Sequence, residues 1–266
     1  MILYTVDAFT NRTFSGNPAA VCLLKEELPD SVLQSIAMEM NLSETAFVIK
    51  ENEGYNLRWF TPKVEVDLCG HATLSAAHVL WERNEVNEDQ PITFSSLSGP
   101  LTAKKSGGWI ELDFPTEAPV SCPVSTELKE AIHAPIVEAA KNRLDYIIEV
   151  ENEQQVRNIA FDTEKMTALT KRGFLITSKS ERPDVDFVSR CFFPTLGVLE
   201  DPVTGSAHCG LAPYWEKKLA KKEFFAEQLS ERGGRLKVVL QGDRCLLKGE
   251  AITVLKGELA YPESQF

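Results

Sequence analysis

Two short stretches hold the residue types from which chemistry is built. One is "EDPVTGSAHCG", residues 200–210, where two acids and a proline run directly into small residues. A solvated loop needs no such run of small residues, and a packed core does not want the acids. The other is "LCGHATLSAAH", residues 68–78, where Cys69, Gly70 and His71 open a helical run. A helix that begins at glycine lets other atoms approach its unpaired N–H groups closely. Such an N-terminus attracts a carboxylate, through its donors and a dipole worth roughly 0.3–1 kcal/mol. Backbone N–H groups near Gly70 and Gly205 are therefore candidates for holding a small acid. Tight helix–sheet packing is the other use of small residues there.

The two stretches belong to a repeat. "RWFTP" at 58–62 is followed by Glu65 and then by "GHA" at 70–72. "RCFFP" at 190–194 is followed by Glu200 and then by "GSA" at 205–207. The shared pattern is R-x-F-x-P, an acid, then G-x-A, with three extra residues in the second copy. A β-rich run precedes each, "AFVIK" at 46–50 and "GFLIT" at 173–177. The common order implies an internal duplication: two like domains facing each other across a cleft, with equivalent helix starts.

The elements that must position these residues are mostly strands. "ILYTVDAF", "ETAFVIK", "YNLRWFTP", "DYIIEV" and "GFLITS" alternate or are rich in β-formers. "ITFSSLSGPLTAKKSGGWIELDFP" reads as strands turned at Ser106-Gly107-Gly108, and the tail from "RLKVVLQ" onward alternates sharply. Residues 31–40 set Val32, Leu33, Ile36, Ala37 and Met40 on one helical face, with Asn41 able to close it. "HATLSAAHVLWER" is helical, and a helical region over about 125–142 is kinked or split by Pro135. "PTEAPVSCPVS" is the best linker candidate. Many hairpins and few helices make an α+β chain. The expected domains are 1–115 and 116–254, with a strand at about 255–266 returning to the first.

Composition sets the outer bounds. The chain has 266 residues, 43% hydrophobic and 25% charged, as in a soluble globular protein. Its 28 Lys+Arg against 39 Asp+Glu give a net charge of −11. That argues against nucleic-acid and anionic-membrane partners, while local donors can still hold a small anionic substrate. The Lys pairs at 217–218 and 221–222 read as one face of an exposed helix. "MILYTVDAF" does not read as a signal peptide, and no window reaches 18 apolar residues. Six cysteines without paired spacing imply reduced thiols and a cytoplasmic protein. His71 and His78, with Cys69, His208 and Cys209, match no zinc spacing, so no metal is expected.

At these residues the chain resembles the PhzF-type isomerases named for phenazine biosynthesis. "VDAFTNRTFSGNPAAVCL", "NLSETAFV", "LCGHATLSAAH", "EDPVTGSAHCGLAPYW" and "ERGGRLKV" carry the resemblance, from residue 6 to about 258. It implies a diaminopimelate epimerase-like fold, two pseudo-symmetric domains each with strands wrapped around a central helix. It also implies a dimeric isomerase that needs no metal or organic cofactor. In that family a Glu in the motif matching "SETAF" moves a proton between two carbons of a dihydro-hydroxyanthranilate, which carries over to Glu44. The family's other site residues match His71, Asp201 and Ser206.

Each of these residues also has a plain structural use. Glu44 could be a strand-edge acid, His71 a satisfied buried group, Asp201 a helix cap and Ser206 a first-turn residue. As a base, Glu44 needs burial to raise its pKa toward the working pH. Two rival functions remain open. A two-thiol racemase would use Cys69 and a second thiol, yet Thr204 stands where that thiol belongs and Cys209 is five residues further on. A non-catalytic metabolite-binding protein is the other.

Overall fold

In the computed structural model, residues 1–51 and 53–260 are described. The chain divides into two compact units, Met1–Asp113 with the segment from Lys248 onward, and Phe114–Leu247.

The first unit runs β1 (Ile2–Ala8), β2 (Asn17–Leu24), α1 (Asp30–Met40), β3 (Glu44–Glu51), β4 (Gly54–Phe60), β5 (Glu65–Val66), α2 (Gly70–Glu82), β6 (Ile92–Ser95), β7 (Leu101–Ser106) and β8 (Trp109–Pro115). β1 and β2 are antiparallel, β2 and β3 parallel, β3 and β4 antiparallel, and β4 pairs with β5 antiparallel and β6 parallel. A parallel pair needs a long crossover. α1 fills the one between β2 and β3, burying Val32, Leu33, Ile36 and Ala37 beside Phe47 and Phe60. Asn41 closes α1 in the left-handed region at φ 49°, its N–H donating to the Ala37 carbonyl. α2 packs on β1, β2 and β3 and is buried from His71 to Ala77 and again from Val79 to Trp81. Only a helix with strands around it hides so many consecutive residues.

The second unit runs β9 (Val120–Cys122), α3 (Thr126–Ala131), β10 (Ile136–Lys141), β11 (Asp145–Val150), α4 (Glu153–Arg157), α5 (Thr163–Leu169), β12 (Gly173–Lys179), β13 (Phe187–Phe193), a 3-10 turn (Pro194–Leu196), β14 (Val198–Asp201), α6 (Gly205–Leu219), β15 (Glu223–Gln228), β16 (Gly234–Gln241) and β17 (Arg244–Gly249). Its pairings repeat those of the first unit in order: β10–β11 antiparallel, β11–β12 parallel, β12–β13 antiparallel, β13–β14 antiparallel, β13–β15 parallel. α4 and α5 take the crossover role of α1, with Val156 and Met166 in the core beside Phe174 and Phe192. α6 is the buried helix, enclosed from Ala207 to Trp215.

β18 (Ala251–Glu258) returns to the first unit and pairs with β1 from Ile2↔Glu258 to Ala8↔Ala251. Of the 255–266 span, residues 261–266 lie outside the described residues. Among the described residues no helix is long and apolar enough to cross a membrane.

Three local expectations are corrected. The helix over 125–142 stops at Ala131, and Ile136–Lys141 is strand β10 between β9 and β11. Pro135 disfavours helix in the residue before it, and the two neighbouring strands then outweigh the helix propensity of "EAAK". Part of the proline-rich linker is itself a strand, with Val120–Cys122 paired to Lys141–Ala139. Finally, α6 ends at Ala220, held at φ 51°, so Lys221 and Lys222 lie beyond it and Lys221 bonds Asp186 instead.

Candidate active site

In the first unit, Glu44 is the first residue of β3, opposite Ala19 of β2, with its side chain 19% exposed. His71 is the second residue of α2 and is buried. Its Nε2 lies 3.3 Å from Glu44 Oε2, and its Nδ1 lies 3.5 Å from Cys69 Sγ. The first turn is fixed from below: Thr73 Oγ1 donates to the Cys69 carbonyl at 2.5 Å, and Ser75 Oγ to the His71 carbonyl at 2.9 Å. Burial pushes the His71 imidazole down to about 3, so at neutral pH it is uncharged beside the carboxyl group. Nε2 is enclosed and makes no hydrogen bond to a described residue. A carboxyl group next to a neutral imidazole can take up a proton and return it.

The ligand atoms of Glu44, Cys69 and His71 all lie within 4.8 Å of one another. By type and spacing these residues could share a metal ion as well as exchange a proton.

In the second unit, Asp201 ends β14, Thr204 is the N-cap of α6, and Ser206 is exposed in the first turn. Asp201 is not the cap; its carboxylate accepts from Thr204 Oγ1. Gln228, fully buried on β15, clasps the loop by donating to the Asp201 carbonyl at 2.6 Å and accepting from the Thr204 N–H at 2.9 Å. Ser206 Oγ accepts from Arg172 Nη1 at 3.1 Å, while Arg172 Nε and Nη2 grip both oxygens of the buried Asp145. Burial opposes the charge on Arg172, but those bonds outweigh it and raise its pKa. Arg172, Asp145 and Gln228 escaped the sequence reading. Arg172 had a signal, the second of two adjacent cations directly before the apolar run "GFLIT"; nothing marked Gln228.

The acids of the repeat divide their work. Arg58 binds Glu65 through both oxygens, at 2.7 and 2.8 Å, and lies 5.1 Å over the Phe60 ring. Arg190 binds Glu200 at 2.7 Å twice and lies 5.0 Å over Phe192. So Glu200 is half of a structural staple, and Asp201 is the acid that turns toward the helix start. Neither α2 nor α6 has a side-chain cap, whereas α3, α4 and α5 are capped by Ser125, Asn152 and Asp162. The first-turn N–H groups at Gly70 and Gly205 thus stay uncapped.

Glu44, Gly70 and His71 therefore come together in the first unit, and Asp201, Gly205 and Ser206 in the second. The register also sets Thr204 as the counterpart of Cys69, each the N-cap of its helix, and Cys209 is a buried residue inside α6.

The sequence profile described as "Phenazine biosynthesis-like protein", PhzC-PhzF, matches residues 6–257. A Halalkalibacterium halodurans protein named as an uncharacterized isomerase is 54% identical, over 97% of each chain. The crystal structure of a PhzF-family phenazine biosynthesis protein from Enterococcus faecalis superposes with a TM-score of 0.94 at 44% identity, over 98% of this chain and 99% of that one. A probable proline racemase from Agrobacterium radiobacter shares the fold alone, with a TM-score of 0.65 at 10% identity, over 99% and 94%. With this architecture and this breadth of similarity, the chain belongs to the phenazine biosynthesis-like PhzC-PhzF family, as an isomerase with the diaminopimelate epimerase-like fold.

Proposed function

We propose that the chain moves a proton between carbons of a small unsaturated or cyclic carboxylic acid of the dihydro-hydroxyanthranilate kind, with Glu44 as the acid/base. The observation that carries this reading is the 3.3 Å approach of His71 Nε2 to Glu44 Oε2 at an uncapped helix start. Glu44 would take a proton from one carbon and return it to another on the same face. His71, being uncharged, would hydrogen-bond a hydroxyl or amine of the substrate without adding a charge to the site. Asp201, Ser206 and the uncapped N–H groups at Gly70 and at Gly205 are what this reading would use to bind polar groups of the substrate. Moving a proton within one molecule changes no oxidation state, so the reaction as written calls for no electron carrier.

Two assays separate the reaction from the substrate. Absorbance-monitored conversion of trans-2,3-dihydro-3-hydroxyanthranilate tests the substrate. Deuterium uptake from D2O into a panel of small unsaturated acids tests the reaction class. Tight binding of such acids with no exchange in any of them would overturn the isomerase chemistry and favour a metabolite-binding role.

A further inference from the structure

The N-cap of α2 is a thiol, Cys69, only 7% exposed, and its Sγ is the hydrogen-bond partner of His71 Nδ1 at 3.5 Å. A neutral imidazole carries its one proton on either Nδ1 or Nε2, and the hydrogen bond at one nitrogen decides what the other offers. Two arrangements are open here. With the proton on Nδ1, a weakly accepting sulfur would receive it, and the bare Nε2 would point its lone pair toward Glu44 Oε2 at 3.3 Å. With the proton on Nε2, the thiol donates to Nδ1 and the ring presents an N–H to the carboxyl oxygen. Only the second arrangement gives the thiol a good acceptor and keeps a bare nitrogen lone pair from facing the carboxyl oxygen, although Nε2 and that oxygen are not aligned as a hydrogen bond. The nearby hydroxyls are engaged elsewhere, Thr73 with the Cys69 carbonyl and Ser75 with the His71 carbonyl.

We propose that Cys69 is a positioning residue: its S–H donates to His71 Nδ1 and keeps the imidazole proton on Nε2, the nitrogen that faces Glu44. Its effect on turnover rests on the reading of Glu44 as the base; its effect on the tautomer does not. The second unit sharpens the point. Where α6 has Ser206 in place of an imidazole, the N-cap is Thr204, which turns back to Asp201 instead. The thiol therefore stands at the helix start that has a ring to orient.

The test reads the tautomer directly, by nitrogen–proton correlation NMR on protein labelled with 15N-histidine, with the His71 signals assigned by their loss in His71→Asn. Wild type should show the proton on Nε2. Cys69→Ala should redistribute it toward Nδ1 and lower kcat roughly tenfold, about one hydrogen bond's worth, with KM little changed. Cys69→Ser keeps a donor and should restore both the tautomer and most of the rate. A wild-type Nδ1–H tautomer, or a Cys69→Ala protein with an unshifted tautomer, would overturn the proposal. Should Cys69→Ala fail to fold, Cys69→Val, which also lacks a donor, reads the same shift, and a wild-type Nδ1–H tautomer overturns the proposal by itself. Because the spectrum is taken on the resting protein, a chain that isomerises nothing leaves this test intact.

Discussion

At the start of α2 an uncharged imidazole lies beside the Glu44 carboxyl group; at the start of α6 a serine hydroxyl lies beside a guanidinium already gripped by a buried aspartate. The scaffolds under these two sites follow one plan. Each has a parallel strand pair, an arginine–glutamate staple, an aromatic ring under the arginine, and a central helix without a side-chain cap. What differs is the first residue of the third strand in each plan. Glu44 stands there in the first unit, and Gly173 in the second, opposite Asp145. A side chain at 173 would collide with the Phe193 ring and the Phe192 carbonyl, so no carboxylate fits. In the second unit the acid sits one strand over and is neutralised by Arg172. The two units share this frame, while their polar residues differ: a carboxyl group beside a neutral imidazole in the first, and a serine and an arginine held by Asp145 in the second.

The largest effects should separate those two units. Glu44→Gln, nearly isosteric, should lower turnover by about 10²–10⁴ with the fold intact. Asp201→Asn should act mainly on KM. Equal losses of kcat from both would erase the distinction between a chemical side and a binding side.

Next in size is the buried pair of the second unit. Arg172→Met leaves Asp145, which is fully buried, without its guanidinium and should cost about 3–5 kcal/mol in chemical denaturation. Adding Asp145→Asn should recover most of that loss. A single variant as stable as wild type would mean the pair is not what holds this site together.

The staples test how alike the scaffolds are. Arg58→Met and Arg190→Met should each cost about 2 kcal/mol, since each removes a bidentate, charge-assisted pair of similar exposure. Costs that differ several-fold would show that the two copies no longer bear equal weight.

That repeat was the most legible part of the sequence, because R-x-F-x-P and its acid recur with only three residues of offset. The motif placed the two acids at 65 and 200 in equivalent roles before any partner was known. It could not reveal that the partner was the motif's own arginine, because a salt bridge across antiparallel strands depends on register. Glu44, His71, Asp201 and Ser206 came from resemblance; on spacing alone each read equally well as a strand edge, a buried ring, a cap or a first-turn residue. Asp145 and Arg172 are 27 residues apart and meet only through the parallel β11–β12 pairing, a long-range contact that local pattern does not encode. The misread helix before Lys141 has the same origin: "EAAK" favours a helix until two strands flank it.

The smallest effect should be shared equally by both central helices. Each carries a buried histidine held neutral by desolvation, His71 down to about 3 and His208 to about 4, the latter partly opposed by its bond to the Thr204 carbonyl. The folded protein therefore refuses protons that the unfolded chain accepts below an ordinary histidine pKa near 6.5. Their contribution is complete above that value and is lost as pH falls toward 4, at about 1 kcal/mol per histidine by pH 6. Denaturation at pH 7.5, 6 and 5 should show this loss, and His71→Asn with His208→Asn should flatten it. An unchanged pH slope in the double variant would assign the acid sensitivity to other groups.

Solvent deuterium exchange into bound substrate, compared between wild type and Glu44→Gln, tests the role of Glu44 most directly. If Glu44 is the base, wild type exchanges the migrating proton with D2O or carries it to the new carbon, and Glu44→Gln does neither while still binding the acid. Wild-type exchange and turnover in the Glu44→Gln protein would contradict it, and would leave the carboxyl beside His71 as a structural neighbour.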